Sequence, residues 1–183
     1  MKRFLFLVVV FLFTIASHSQ TLSYEPEFVG QIATLLPDGK VIILQKEATH
    51  IKTSSSKFGL IPVPGSSLLD KSKSYLEVKG KSSNILLQGN SLTFVYRAGD
   101  NSIDPVSAFG IISLNTKKKS RQFMLAESGT LSGTKTFTNF NNVPSTVKKQ
   151  GKESYLITIS DIKPGQYAFV TGDLSYLSTF CVE

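Results

Sequence analysis

Tyr155-Leu156-Ile157-Thr158-Ile159 and Gln166-Tyr167-Ala168-Phe169-Val170-Thr171 flank the joint Asp161-Ile162-Lys163-Pro164-Gly165. Aromatic and β-branched residues fill both runs, and these side chains suit a pleated, half-buried surface. Each run has strand length and falls short of a typical helix. Proline presets one torsion of the joint and glycine accepts a positive φ, so the joint is a turn.

The same grammar extends in both directions. Phe28–Leu36 and Val41–Lys46 flank Pro37-Asp38-Gly39-Lys40, a hairpin signal. Tyr75–Lys79 sets Leu76 and Val78 on one face, and Leu92–Tyr96 alternates large apolar residues at 92, 94 and 96. Further runs are Asn84–Leu87, Ala108–Leu114, Arg121–Leu125, Thr134–Phe140 and Leu174–Val182. No long window repeats apolar residues at helical spacing, and the crossover helices of a parallel sheet are missing. The expected fold is all-β: a single antiparallel β-sandwich, Ig-like or jelly-roll-like, of about ten short strands with little or no helix. Residues 47–74 are rich in serine and contain Ile61-Pro62-Val63-Pro64-Gly65. They are expected to form a long loop with one or two short structured pieces.

The chain begins with Lys2 and Arg3, an apolar run from Phe4 to Ile15, then Ala16-Ser17-His18-Ser19. Cation, apolar stretch and small polar residues in that order form a secretory signal. Signal peptidase accepts small residues at −3 and −1, which places the cut after Ser19, with Ser17 at −3 and Gln20 first in the mature chain. A membrane-spanning helix needs ~20 apolar residues, and this run is shorter. No cysteine stands near the cut to carry a lipid. The expectation is a signal peptide over 1–19, one domain over 20–183, a periplasmic or secreted location, and no stable membrane anchor after cleavage.

Without Lys2 and Arg3 the mature chain has 18 basic and 13 acidic residues, a net of +5. The densest basic groups are Lys117-Lys118-Lys119 with Arg121, and Lys148-Lys149 with Lys152. The first group lies between two strand runs, where charge keeps a sheet edge soluble. Nucleic acid is not an expected partner for an exported chain. Cys181, the only cysteine, lies in the final apolar run and reads as a buried strand residue, because a free thiol behaves as a small hydrophobe; the alternative is a thiol that pairs with another chain.

Catalytic residue types are scarce. After cleavage His50 is the only histidine, expected in the irregular stretch as a solvated loop residue. One cysteine and one histidine exclude a structural zinc site. Asp100, Ser102 and Asp104 mimic part of a calcium loop, but Pro105 replaces its glycine and Ile111 its bidentate glutamate. Their side chains are expected to bond the local backbone instead. Tryptophan is absent, and Tyr75, Tyr96, Tyr155 and Tyr176 are the candidate surface rings. No catalytic residue, metal site, cofactor or ligand-binding residue is assigned.

Gly151-Lys152-Glu153-Ser154-Tyr155 followed by Ile162-Lys163-Pro164-Gly165-Gln166-Tyr167-Ala168-Phe169 resembles the closing hairpin of uncharacterised exported β-sandwich proteins of Gram-negative bacteria. Phe28-Val29-Gly30 and Phe180-Cys181-Val182 are similar to parts of the same group. The resemblance implies a turn made by Pro164 and Gly165, with the Tyr167 ring packed at a sheet corner. It carries over no active site.

The expected function is therefore a non-enzymatic exported domain that contacts an envelope or extracellular protein or glycan through its surface. One alternative is a hydrolase built on carboxylates alone, roughly 5–10 Å apart. Its candidates are Asp70, Glu77, Asp100, Asp104, Glu127, Glu153, Asp161 and Asp173. Another is a subunit of an exported surface assembly. Mass spectrometry of the exported protein is expected to find Gln20 at the N-terminus; an intact Met1 start would refute the leader assignment.

Overall fold

The computed structural model describes residues 24–56, 71–129, 132–137 and 139–183. Their strands are β1 (Ile32–Leu35), β2 (Val41–Ile43), β3 (Lys46–Ser56), β4 (Lys71–Lys79), β5 (Leu86–Leu87), β6 (Ser91–Arg97), β7 (Gly110–Thr116), β8 (Ser120–Gly129), β9 (Gly133–Thr136), β10 (Thr146–Gln150), β11 (Ser154–Ser160), β12 (Gly165–Val170) and β13 (Tyr176–Val182). One helical turn, α1 (Pro105–Ala108), starts where Asp104 accepts the Val106 amide and Pro105 needs no partner for its nitrogen. The leader and its cut lie outside the described residues.

The chain is nearly all β, and its pairings are antiparallel except that β5 runs parallel to β13. One layer is an open sheet ordered β10-β11-β6-β1-β2. The other runs β12-β7-β8-β4-β3-β13, and β13 pairs back onto β12, so six strands close into a ring. This departs from the expected single sandwich. The cause is the segment read as a loop: Lys46–Ser56 forms β3, an eleven-residue strand. Together β3 and β4 bridge β13 to β8 and close what would otherwise be an open sheet. Residues 57–70 of that expected loop lie outside the described residues.

Two cores follow from the alternation of side chains along each strand. Ile111, Phe169 and Phe180 leave the ring outward and meet Phe94, Tyr96, Tyr155 and Ile157 of the open sheet. The opposite-facing Ile112, Ala168, Val170 and Leu177 fill the ring with Leu76, Val78 and Phe123. Tyr96 and Tyr155 are thus core rings and not surface ones, and burial pushes both phenols up. Tyr176 is exposed and Tyr75 half-buried. Cys181 is buried in β13.

The Asp161–Gly165 turn joins β11 in the open sheet to β12 in the ring, so it is a corner between layers and not a hairpin. Asp161 takes φ 56°, a conformation that a short polar side chain tolerates. Tyr167 donates its hydroxyl to the Lys163 carbonyl at 2.8 Å and stacks on Phe180, which pins the corner.

Phe140 lies over the Gly110 end of β7 and packs on Phe123. A Cβ at Gly110 would stand 2.3 Å from the Phe140 carbonyl oxygen. Gly110→Ala is expected to destabilise the domain by about 1–3 kcal/mol through overpacking. An unchanged urea midpoint would show that Phe140 does not cross there.

Candidate functional site

Two places concentrate unusual chemistry. The first is on the outer wall of the ring. Opposed residues of an antiparallel pair share a face, so His50, Glu77, Gln122 and Asn115 form one row across β3, β4, β8 and β7. Glu77 is buried although it points outward. Its Oε1 accepts His50 Nε2 at 3.0 Å. Its Oε2 accepts Lys52 Nζ at 3.1 Å, the Ser120 hydroxyl at 2.8 Å and the Gln122 amide. Burial alone would raise the Glu77 pKa. The bonds from Gln122, Ser120, Lys52 and His50 outweigh it and hold the carboxyl at about 2.

This cluster gathers Ser, His and Glu but not in a hydrolytic order. In a Ser-His-acid device the imidazole stands between hydroxyl and carboxylate and takes the hydroxyl proton. Here Glu77 is the hub, and both His50 and Ser120 point at it. The Ser120 proton faces the carboxylate, which is saturated with donors and is a poor base. The arrangement ties three strands together. His50 also proves to be a strand residue with its side chain about half exposed, not a loop histidine.

The second place is the outer face of the open sheet. The register sets Thr146, Thr158, Thr93, Leu35 and Val41 in one row, and Lys148, Leu156, Val95, Ala33 and Ile43 in the next. A third row holds Gln150, Ser154 and Arg97. Residues 24–27 dock on that third row. Arg97 donates to the Pro26 carbonyl at 3.1 Å and the Glu27 carbonyl at 2.6 Å, and pairs with Glu153 at 2.6 Å. Ser154 donates to Glu25 at 2.6 Å, and the Gln150 amide donates to the Tyr24 carbonyl.

Beside this strap lies a groove of about 740 Å³, lined by Leu35, Leu36, Pro37, Thr93, Leu156 and the cation Lys148 among others. No acidic residue is among its described lining residues. Lys149, opposite Tyr155 in the register, is a second cation of the lining. The volume is that of a small-molecule site.

The remaining sequence candidates scatter. Asp70 lies outside the described residues. Asp100 accepts the Ser102 amide and hydroxyl, which hold it below the usual carboxylate range, and Asp104 caps α1. The calcium-like fragment thus bonds its own loop. Glu127 pairs with Lys73 at 3.0 Å, Glu153 with Arg97, and Asp173 accepts the Ser175 amide. Asp161 is exposed at its corner. Lys117, Lys118 and Lys119 are exposed in the β7–β8 turn.

Arg121 does not join them. It is fully buried and points into the ring, where it pairs with Glu47 at 2.6 Å and donates to Thr179 and to the Lys79 and Gly80 carbonyls. No three His, Cys, Asp or Glu side chains among the described residues cluster as a metal site. No helix among them is long and apolar enough to cross a membrane.

Searches against protein-family models and against curated proteins find no match to the chain.

Glu77 binds a proton more weakly in the folded chain than in the unfolded one. The stabilisation is therefore complete above the unfolded value near 4.5 and is lost as pH falls from there to about 2. Glu77→Gln is expected to remove roughly 2 kcal/mol of stability at pH 6 and to flatten the urea-midpoint curve between pH 5 and 2. A variant as acid-sensitive as wild type would show that Glu77 does not carry the effect.

Proposed function

We propose that this chain is an exported, non-enzymatic binding domain whose ligand seat is the groove on the outer face of the open sheet. The supporting observation is that groove: about 740 Å³, aliphatic in its floor and cationic at Lys148. The sequence supplies the export reading through Lys2, Arg3 and the apolar run that follows. In fold terms we read the architecture as two β layers, one of them closed, and not as a plain Ig-like or jelly-roll sandwich. The partner class of this reading is an envelope or extracellular component.

The arrangement of polar groups favours binding over catalysis. Glu77, the most perturbed carboxylate, spends its oxygens on four neighbours. An assembly subunit is disfavoured by the two open edges of the sheet. At one edge β2 has three residues, and at the other β10 carries Lys148 and Lys149, a pattern that discourages strand addition.

The test uses the mature domain and a Leu156→Glu variant, which places an anion in the groove without touching either core. The wild type is expected to retain a component of envelope extract that the variant releases, while both unfold within about 1 kcal/mol of each other. Equal retention by both would remove the groove from the function. Turnover of peptide or glycan substrates, abolished by one polar substitution, would overturn the non-enzymatic reading.

A further inference from the structure

Resting on that reading of the groove, we propose that its occupant is an anionic amphiphile: a linear acyl chain with a carboxylate or phosphate headgroup. The chain lies on Leu35, Leu36 and Leu156, and the headgroup meets Lys148.

Three features of the groove select this class. Its described lining contains aliphatic side chains and no aromatic ring, so nothing there stacks a sugar. Leu35, Thr93 and Leu156 form a sheet floor, where the backbone groups of β1, β6 and β11 are already paired with neighbouring strands. A peptide laid on such a floor would leave its own amides without partners, at a cost of roughly 1–3 kcal/mol each. An acyl chain has no such groups and gains about 0.8 kcal/mol per buried methylene. The third feature is charge. Lys148 stands opposite Leu156 on the groove face, and no acid is among the described lining residues to neutralise it. The ligand end that reaches Lys148 is therefore anionic. Gln88, Ser91, Thr93 and Gln150 add hydrogen-bonding groups beside the aliphatic side chains, and these can help to hold a polar head.

The experiment titrates the mature domain with cis-parinaric acid, a fluorescent polyene fatty acid, and displaces it with palmitate, hexadecyl phosphate, hexadecanol or inorganic phosphate. Palmitate or hexadecyl phosphate, or both, is expected to displace the probe, and the tighter of the two identifies the headgroup. Inorganic phosphate is expected to fail. Lys148→Ala, a change at an exposed position, should weaken the preferred anion about tenfold and leave hexadecanol unchanged. Leu156→Glu should abolish all acyl binding.

The proposal falls if wild-type protein takes up no probe, if hexadecanol binds as tightly as both anions, or if Lys148→Ala leaves anion affinity intact. Should the probe fail while Leu156→Glu still releases a protein or glycan from envelope extract, the amphiphile is refuted and the groove keeps its binding role. Should both measurements fail, the two readings fall together.

Discussion

Phe94 touches Phe169 and Phe180 at ring distances of 5.0 Å each, and this contact joins the two layers. Among the described residues strand pairing stops at the boundary of each layer, and no ladder there holds the open sheet to the ring. Burial of apolar surface does. Tyr96 on Phe109 and Ile157, Ile159 and Val182 around them extend the same interface. Removing one such ring typically costs 3–5 kcal/mol, a large part of the stability of a domain this size. Burial has no direction, however, and would tolerate sliding. The corner at Asp161 and the Tyr167–Lys163 hydrogen bond fix how β11 hands the chain to β12. Apolar contact thus supplies the energy, and the corner supplies the alignment.

The ring handles its two most constrained charges by location. Arg121 is inside, where an unpaired guanidinium would be intolerable, and its donors reach β13, β3 and the end of β4 with the residue that follows it. One side chain therefore links strands that are not neighbours, across the ring and not along its wall. A buried ion pair adds little net stability, but removing one partner leaves the other stranded. Glu77 is on the outer wall and joins only adjacent strands, β3, β4 and β8. Its neighbours keep it ionised where burial would protonate it. Both groups serve closure: one staples the interior, the other the wall that β3 completes.

Much of this was legible from residue pattern, and the failures have physical causes. The runs around Phe94, Ile157 and Phe169 announced themselves because β-branched and aromatic residues crowd buried strands. Strand β3 was hidden because Lys46–Ser56 carries Lys, Thr and Ser, and its wall faces water for most of its length. A strand with no strongly apolar face has no period-2 signal to read. Without β3 the closed ring was invisible, and so was the meeting of His50 with Glu77. Arg121 beside three lysines read as solvated charge, although alternation from Phe123 places it on the inward face. The groove did leave a trace. Leu156 and Val95 are apolar on the side of the strand opposite Tyr155, Ile157, Phe94 and Tyr96, so those strands are apolar on both faces. That trace is ambiguous in one dimension, since a doubly apolar strand equally describes the middle of a three-layer protein.

The two outer walls of this molecule make a controlled comparison, because one chain with one composition built both. The ring presents His50, Glu77, Gln122 and Asn115 outward in one row and Lys52, Tyr75 and Met124 in the next, a mostly polar wall. The open sheet presents Leu35, Leu156 and Ile43, the last 44% exposed. Leaving apolar area in water forgoes about 25 cal/mol per Å² that burial would return, and it raises the risk of association. The ring wall shows that polar residues were compatible with this kind of sheet, so strand-forming tendency does not explain the leucines. Composition does not explain their clustering either, because the groove brings Leu35 of β1 beside Leu156 of β11, which are distant in sequence, while Leu36 of the β1–β2 turn also packs against the core between the layers. The open sheet thus keeps leucines on its outer side, with Lys148 and Lys149 and no acid among the described residues that line the groove. The amphiphile proposed above would cover those leucines and meet those lysines, which is how the proposal accounts for the difference between the two walls.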